Sequence, residues 1–151
     1  MVKFEKIKSE DSVRDILKGT FGLDLPIEGG WGYTNDEPLV ILSFPFPKEQ
    51  MQFMFASARQ NLVMNLTQPK ETRYGGINLK EIDRQMVQLN SNTFEKVIYE
   101  VSGMLEETYA LFIDEYKKNH GNVEFDLGDH FKRRDDATLK FKETIWFQIK
   151  E

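Results

Sequence analysis

An α+β fold is what this sequence predicts: an antiparallel sheet of about five strands, with a long helix over about residues 93–119 and two or three shorter helices packed on one face. Three stretches carry the prediction. Between 92 and 121, Val97, Val101, Leu105, Thr108, Phe112 and Tyr116 recur at helical spacing, and Phe94, Ile98, Met104 and Tyr109 widen the stripe. Between 138 and 149, Leu139, Phe141, Ile145, Phe147 and Ile149 alternate with Thr138, Lys140, Lys142, Thr144 and Gln148, the period of a strand with one buried side. The run Leu39-Val40-Ile41-Leu42 does not alternate, as expected of a central strand covered on both sides.

Taken in order, Val2 and Phe4 alternate with Lys3 and Glu5 as a short strand would. Ser9, Asp11 and Ser12 then open a helix carrying Val13, Ile16 and Leu17, stopped at Gly19. Gly29 to Thr34 reads as a strand entered through a glycine-rich bend, and Asn35-Asp36-Glu37-Pro38 as a turn before the apolar run. Phe44-Pro45-Phe46-Pro47 ends that run, because proline cannot donate to a sheet ladder. Met51, Met54, Phe55, Ala58, Leu62 and Leu66 mark a helix beginning after Pro47, with Gln52-Phe53-Met54-Phe55 open to a rival reading as strand. Leu79, Ile82, Met86 and Leu89 again have helical spacing. A rival reading pairs residues 82–89 with 94–101 as a hairpin across Asn90-Ser91-Asn92-Thr93.

The long helix is signed at both ends, by a capping-box pattern at Asn92 and Glu95 and by Lys117 and Lys118 ahead of Gly121. Gly103 inside it predicts close backbone approach by a neighbour or, second to that, a kink. Val123, Phe125 and Leu127 supply a hairpin partner for the final strand, across a polar loop from Gly128 to Ala137.

The 151 residues form one domain over 1–151, with no linker composition to divide them. A formal charge of -5 argues against nonspecific nucleic-acid binding, which needs an excess of basic residues. The absence of cysteine excludes disulfides, thiolate metal sites and cysteine nucleophiles. With neither a signal-peptide pattern nor a membrane-spanning run of apolar residues, the cytoplasm is the expected location.

Four places invite a chemical reading. Gly30-Trp31-Gly32-Tyr33-Thr34-Asn35 lacks the last glycine of a dinucleotide fingerprint. Its glycines are expected to permit a bend or to let a ring cross the backbone, while Glu28, Trp31 and Tyr33 together would suit a planar or sugar-like ligand. Asp126, Asp129 and His130, with distant His120, match no metal-binding spacing, so no metal or cofactor is expected. Glu143 falls among the apolar residues of the last strand; it is turned outward by a bulge, paired with an arginine such as Arg59 or Arg84, or buried with a raised pKa. Lys132-Arg133-Arg134 beside Asp135-Asp136 reads as a solvated loop whose charges cancel.

The expected function is a non-catalytic protein-binding module, presenting an acidic surface and exposed aromatics such as Trp31, Tyr33 and Trp146 to a protein partner. Small acidic proteins that neutralise basic enzymes share this profile. The alternative is a small-molecule-binding protein or enzyme with a pocket between sheet and long helix, lined by Glu28, Trp31, Tyr33 and Glu143. A third is a homodimer joined through Trp146 and the central helix.

Overall fold

The structure, a computed structural model, describes residues 4–149. Helix α1 (Val13–Phe21) begins where the Ser12 hydroxyl accepts from the Asp15 N–H at 3.1 Å, and it runs through Gly19 to close on Gly22, whose φ of 66° suits glycine. Short strands β1 (Ile27–Gly29) and β2 (Leu39–Ile41) follow, then α2 (Lys48–Asn61), which continues as a π turn at Leu62–Leu66. The remainder is β3 (Tyr74–Leu89), β4 (Asn92–Leu105), α3 (Glu106–Lys118), α4 (Leu127–Ala137) and β5 (Leu139–Ile149).

All five strands join one sheet in the order β1-β2-β5-β4-β3, antiparallel except where β2 and β5 run parallel. The α+β architecture read from the sequence is therefore the one the chain adopts. Alternation in β5 sets the register: Ile145 lies opposite Val97, Glu143 opposite Tyr99 and Phe141 opposite Val101, all on the face that α1 and α2 cover. There Phe55 of α2 meets the edge of Phe147 at 6.0 Å and stacks with Trp31 at 6.2 Å. Val13 and Leu17 of α1 close the same core.

The long helix expected over about 93–119 does not form. Residues 92–105 are strand β4, and only Glu106–Lys118 is helical. Strand β4 lies between β3 and β5, with Val97, Tyr99 and Val101 on the core face and Phe94, Ile98 and Met104 on the other. A strand that is apolar on both sides loses its two-residue period, and its residues then match a helical stripe equally well. The helix read over residues 79–89 fails likewise; it is β3, and a hairpin with β4 forms as in the rival reading, but across Asn90-Ser91 alone, with Leu89 opposite Asn92 and Val87 opposite Phe94. Its turn places Asn90 and Ser91 at φ of 50° and 70°, the left-handed pair that a tight hairpin requires. Gly103 does meet a close neighbour, from within a strand: a Cβ there would lie 3.1 Å from Met64 Cε.

Two further strands are corrected. Val123 to Leu127 does not pair with β5; the segment leads into α4, where Asp126 accepts from the Asp129 N–H at 3.0 Å and caps a helix. Of Gly29 to Thr34 only Gly29 is strand. The rest is a bend, in which a Cβ on Gly32 would come within 2.8 Å of Ile145 Cγ2. At the N-terminus, Val2 and Lys3 lie outside the described residues, while Phe4 and Glu5 are not strand; the Phe4 ring packs on Tyr74 and Phe141 at 5.4 Å each. Nor do all helices share one face. The α3–α4 hairpin sits at the far end of the sheet, where the Glu106 N–H donates to the Arg73 carbonyl at 2.7 Å and α4 faces Ser102 and Lys140 across a cleft.

Candidate functional site

Three of the five residues singled out in the sequence come together around a side chain that was not among them. The guanidinium of Arg59, wholly buried on α2, donates to the Trp31 carbonyl at 3.0 Å, to Glu143 Oε2 at 3.2 Å and to the Thr144 carbonyl at 3.3 Å, and lies 4.2 Å from the centre of the Tyr33 ring. Burial lowers the pKa of Arg59, opposed by Tyr33 and Glu143; burial raises that of Glu143, opposed by Arg59 and Lys6. The Tyr33 hydroxyl, also pushed up by burial, accepts from the Ile7 N–H at 3.1 Å, and the Trp31 indole N–H donates to Ser9 Oγ at 3.2 Å. Arg59 occupies the space these groups surround. The cluster ties α2 to β5 and to the glycine bend, as a buried ion pair with its remaining donors largely met can do.

Glu28 and Trp146 stand apart from it. Glu28 is exposed on β1, opposite Val40. Trp146 projects from the other face of the sheet, edge-on to Phe94 at 6.2 Å with the Lys96 ammonium 5.4 Å from its ring centre.

The largest concavity described lies elsewhere, where the sheet outruns the helix that covers it. The strands continue past the start of α2 to the tip of the β3–β4 hairpin, leaving a groove of about 990 Å³. One wall is Phe44-Pro45-Phe46-Pro47 with Lys48 and Glu49, and the other is Met86, Ser91, Asn92 and Thr93; Glu95, Gln148 and Ile149 complete the lining. Phe44, Phe46 and Met86 remain 44%, 47% and 65% exposed. Glu95 is only 2% exposed, facing the core side of β4 opposite Met86 and Phe147, and it pairs with Lys48 and Arg84. Sequence reasoning passed over these residues because it used the prolines only to end a strand and assigned Met86 to a helix. The available signal was two aromatics each followed by proline, which stiffens a loop and keeps its rings near the surface.

His130 anchors the α3–α4 hairpin. It is wholly buried among Phe112, Tyr116, Phe125 and Phe131, with ring centres 5.3 to 5.9 Å away, and Nδ1 lies 3.2 Å from Glu115 Oε1. Arg133 clamps the same carboxylate, and with His130 it lowers the pKa of Glu115 to about 2. Asp129 pairs with Arg133 at 2.8 Å and Asp126 caps the helix, so this cluster is spent on holding α4. Among the described residues, no group of three or more His, Asp or Glu side chains is arranged to hold a metal. None of their helices is long and apolar enough to cross a membrane. Comparison with protein-family models, curated proteins and solved structures finds no match.

Proposed function

We propose that this chain is a non-catalytic protein-binding module, docking its partner in the groove between the Phe44–Pro47 loop and the hairpin tip. One observation carries the reading: Phe44, Phe46 and Met86 line a single groove and each leaves about half or more of its surface in water. Neighbouring large apolar groups left exposed mark an interaction site more often than a solvated surface. A small molecule is normally enclosed over most of its surface, whereas this groove lies between two surface loops and suits an apolar ridge on a polypeptide. Pro45 and Pro47 fix φ along one wall, so less ordering entropy is lost when a partner settles there.

The reading keeps the acidic surface and cytoplasmic setting expected from the sequence, and moves the docking residues from Trp31, Tyr33 and Trp146 to the groove. The alternative of a ligand among Glu28, Trp31, Tyr33 and Glu143 is not adopted, because Arg59 stands between three of those four groups. The test compares the wild type with a Phe46→Ser/Met86→Ser double variant, cross-linked in a lysate of the source cells. Both sites are exposed, so the variant is expected to keep its circular-dichroism spectrum and lose the wild-type adduct. An adduct retained undiminished by the folded variant would remove the groove from consideration.

A further inference from the structure

Glu95 is the anomaly of the groove. Further along the same side of β4, Val97 and Tyr99 are buried in the core that α2 covers, yet at 95 the strand places a carboxylate that is 2% exposed. A charge so placed needs partners, and its two oxygens are served unequally. Oε2 accepts from Arg84, which also serves Glu81. Oε1 is met by the Lys48 ammonium, 2.8 Å away, and by no second donor among the described residues.

Lys48 is also the cation easiest to remove. Its side chain is 34% exposed, and it is the first residue of α2, where Pro47 supplies no side-chain cap and the helix dipole opposes a positive charge. Glu49 lines the same groove. Lys48 and Arg84 thus serve Glu95 and Glu81 while Glu49 also lines the groove, on a chain whose net charge is -5.

We infer that the groove takes an apolar polypeptide segment carrying one basic residue, whose cation displaces Lys48 from Glu95. Arginine fits better than lysine: its planar fork can address both Glu95 Oε1 and a second acceptor, and its flat face can lie on Phe44 or Phe46. Apolar side chains on either side of the arginine occupy the space beside Phe46 and Met86. The inference rests on the docking reading above and narrows it to a partner chemistry.

The experiment uses two short capped peptides, Phe-Arg-Leu and Phe-Gln-Leu, titrated to millimolar concentration while NMR follows the Met86 methyl signal. The arginine peptide is expected to bind about tenfold more tightly, the scale of one charge-assisted hydrogen bond. Glu95→Gln should abolish that preference. Lys48→Ala, a change at a part-exposed side chain, should enlarge it by removing the internal competitor, and this variant keeps the test decisive if Glu95→Gln does not fold. Equal affinity for the two peptides, with both lost in Phe46→Ser, overturns the inference and leaves the groove standing. If neither peptide moves the Met86 signal, inference and groove reading fall together. A concentration-dependent dimer broken by Phe46→Ser assigns the groove to a second copy and also overturns the inference.

Discussion

Between α1, α2 and the sheet, Leu17, Leu39, Phe55, Ile145 and Phe147 are buried in one core, with the Arg59 cation buried beside it; in the α3–α4 hairpin, α3 buries no residue and α4 buries only His130. The first region is held by apolar area, each large side chain contributing roughly 1.5–3 kcal/mol. The second is held by four aromatic rings around a histidine and by exposed pairs such as Arg133–Glu115 and Lys118–Asp114, which solvent screening leaves weak. Regions with few buried contacts open at lower free energy, so the hairpin should unfold locally while the sheet and α2 remain intact.

Phe55→Ala should show the largest effect, about 3–5 kcal/mol of global stability, because it empties the contact among Trp31, Phe147 and α2. Denaturant unfolding followed by circular dichroism measures it, and a loss under 1 kcal/mol would mean this core is not what holds the sheet together. Next comes Arg59→Met, expected to cost about 3 kcal/mol by leaving Glu143 and two backbone carbonyls without their donor. Adding Glu143→Gln should recover part of that loss; a double variant no better than the single one would show that the ion pair is not the source.

His130→Ala should change global stability by no more than about 1 kcal/mol, because the hairpin that it unpacks opens separately from the sheet, while removing hydrogen-exchange protection from α3 and α4. Equal loss of protection in β4 and β5 would show the two regions to be one cooperative unit. The smallest and most selective effect is on pH dependence. Arg133 first and His130 second hold Glu115 at about 2 in the fold, against 4.5 for a free glutamate, so its stabilising contribution is complete above about pH 4.5 and is lost as pH falls toward 2. Glu143 has the opposite sign: burial raises its pKa, so taking up a proton as pH falls toward 4.5 favours the fold. Hydrogen exchange between pH 5 and pH 2 should therefore show protection declining in α3 and α4 before β5, and a simultaneous decline would contradict the assignment.

Local signals located α1, α2 and β5 well. Ser12, one of the three polar residues read as opening a helix, caps one whatever surrounds it, Pro47 opens another, and the alternation from Leu139 to Ile149 survives because β5 keeps one face toward the core. The reading failed where a residue's surroundings decide its periodicity. Val97, Ile98 and Val101 follow both the strand pattern and the helix pattern, and Asn90-Ser91 lacks the glycine that announces a tight hairpin. The pairing of Glu143 with Arg59 was one of the readings its apolar neighbours suggested, and the geometry realises it. The groove was not legible, since it arises from β3 and β4 extending past the start of α2.

The sequence alone determined that this chain mixes helices with a sheet of about five strands, that β5 alternates, and that Glu143 needed an explanation. These follow from propensity and period, which act over a few residues. Only the tertiary structure decided that residues 92–105 are strand, that Arg59 fills the space among Trp31, Tyr33 and Glu143, and that Phe44, Phe46 and Met86 share a groove above Glu95. Each of these depends on which distant segments meet, and burial energy settles that for the chain as a whole.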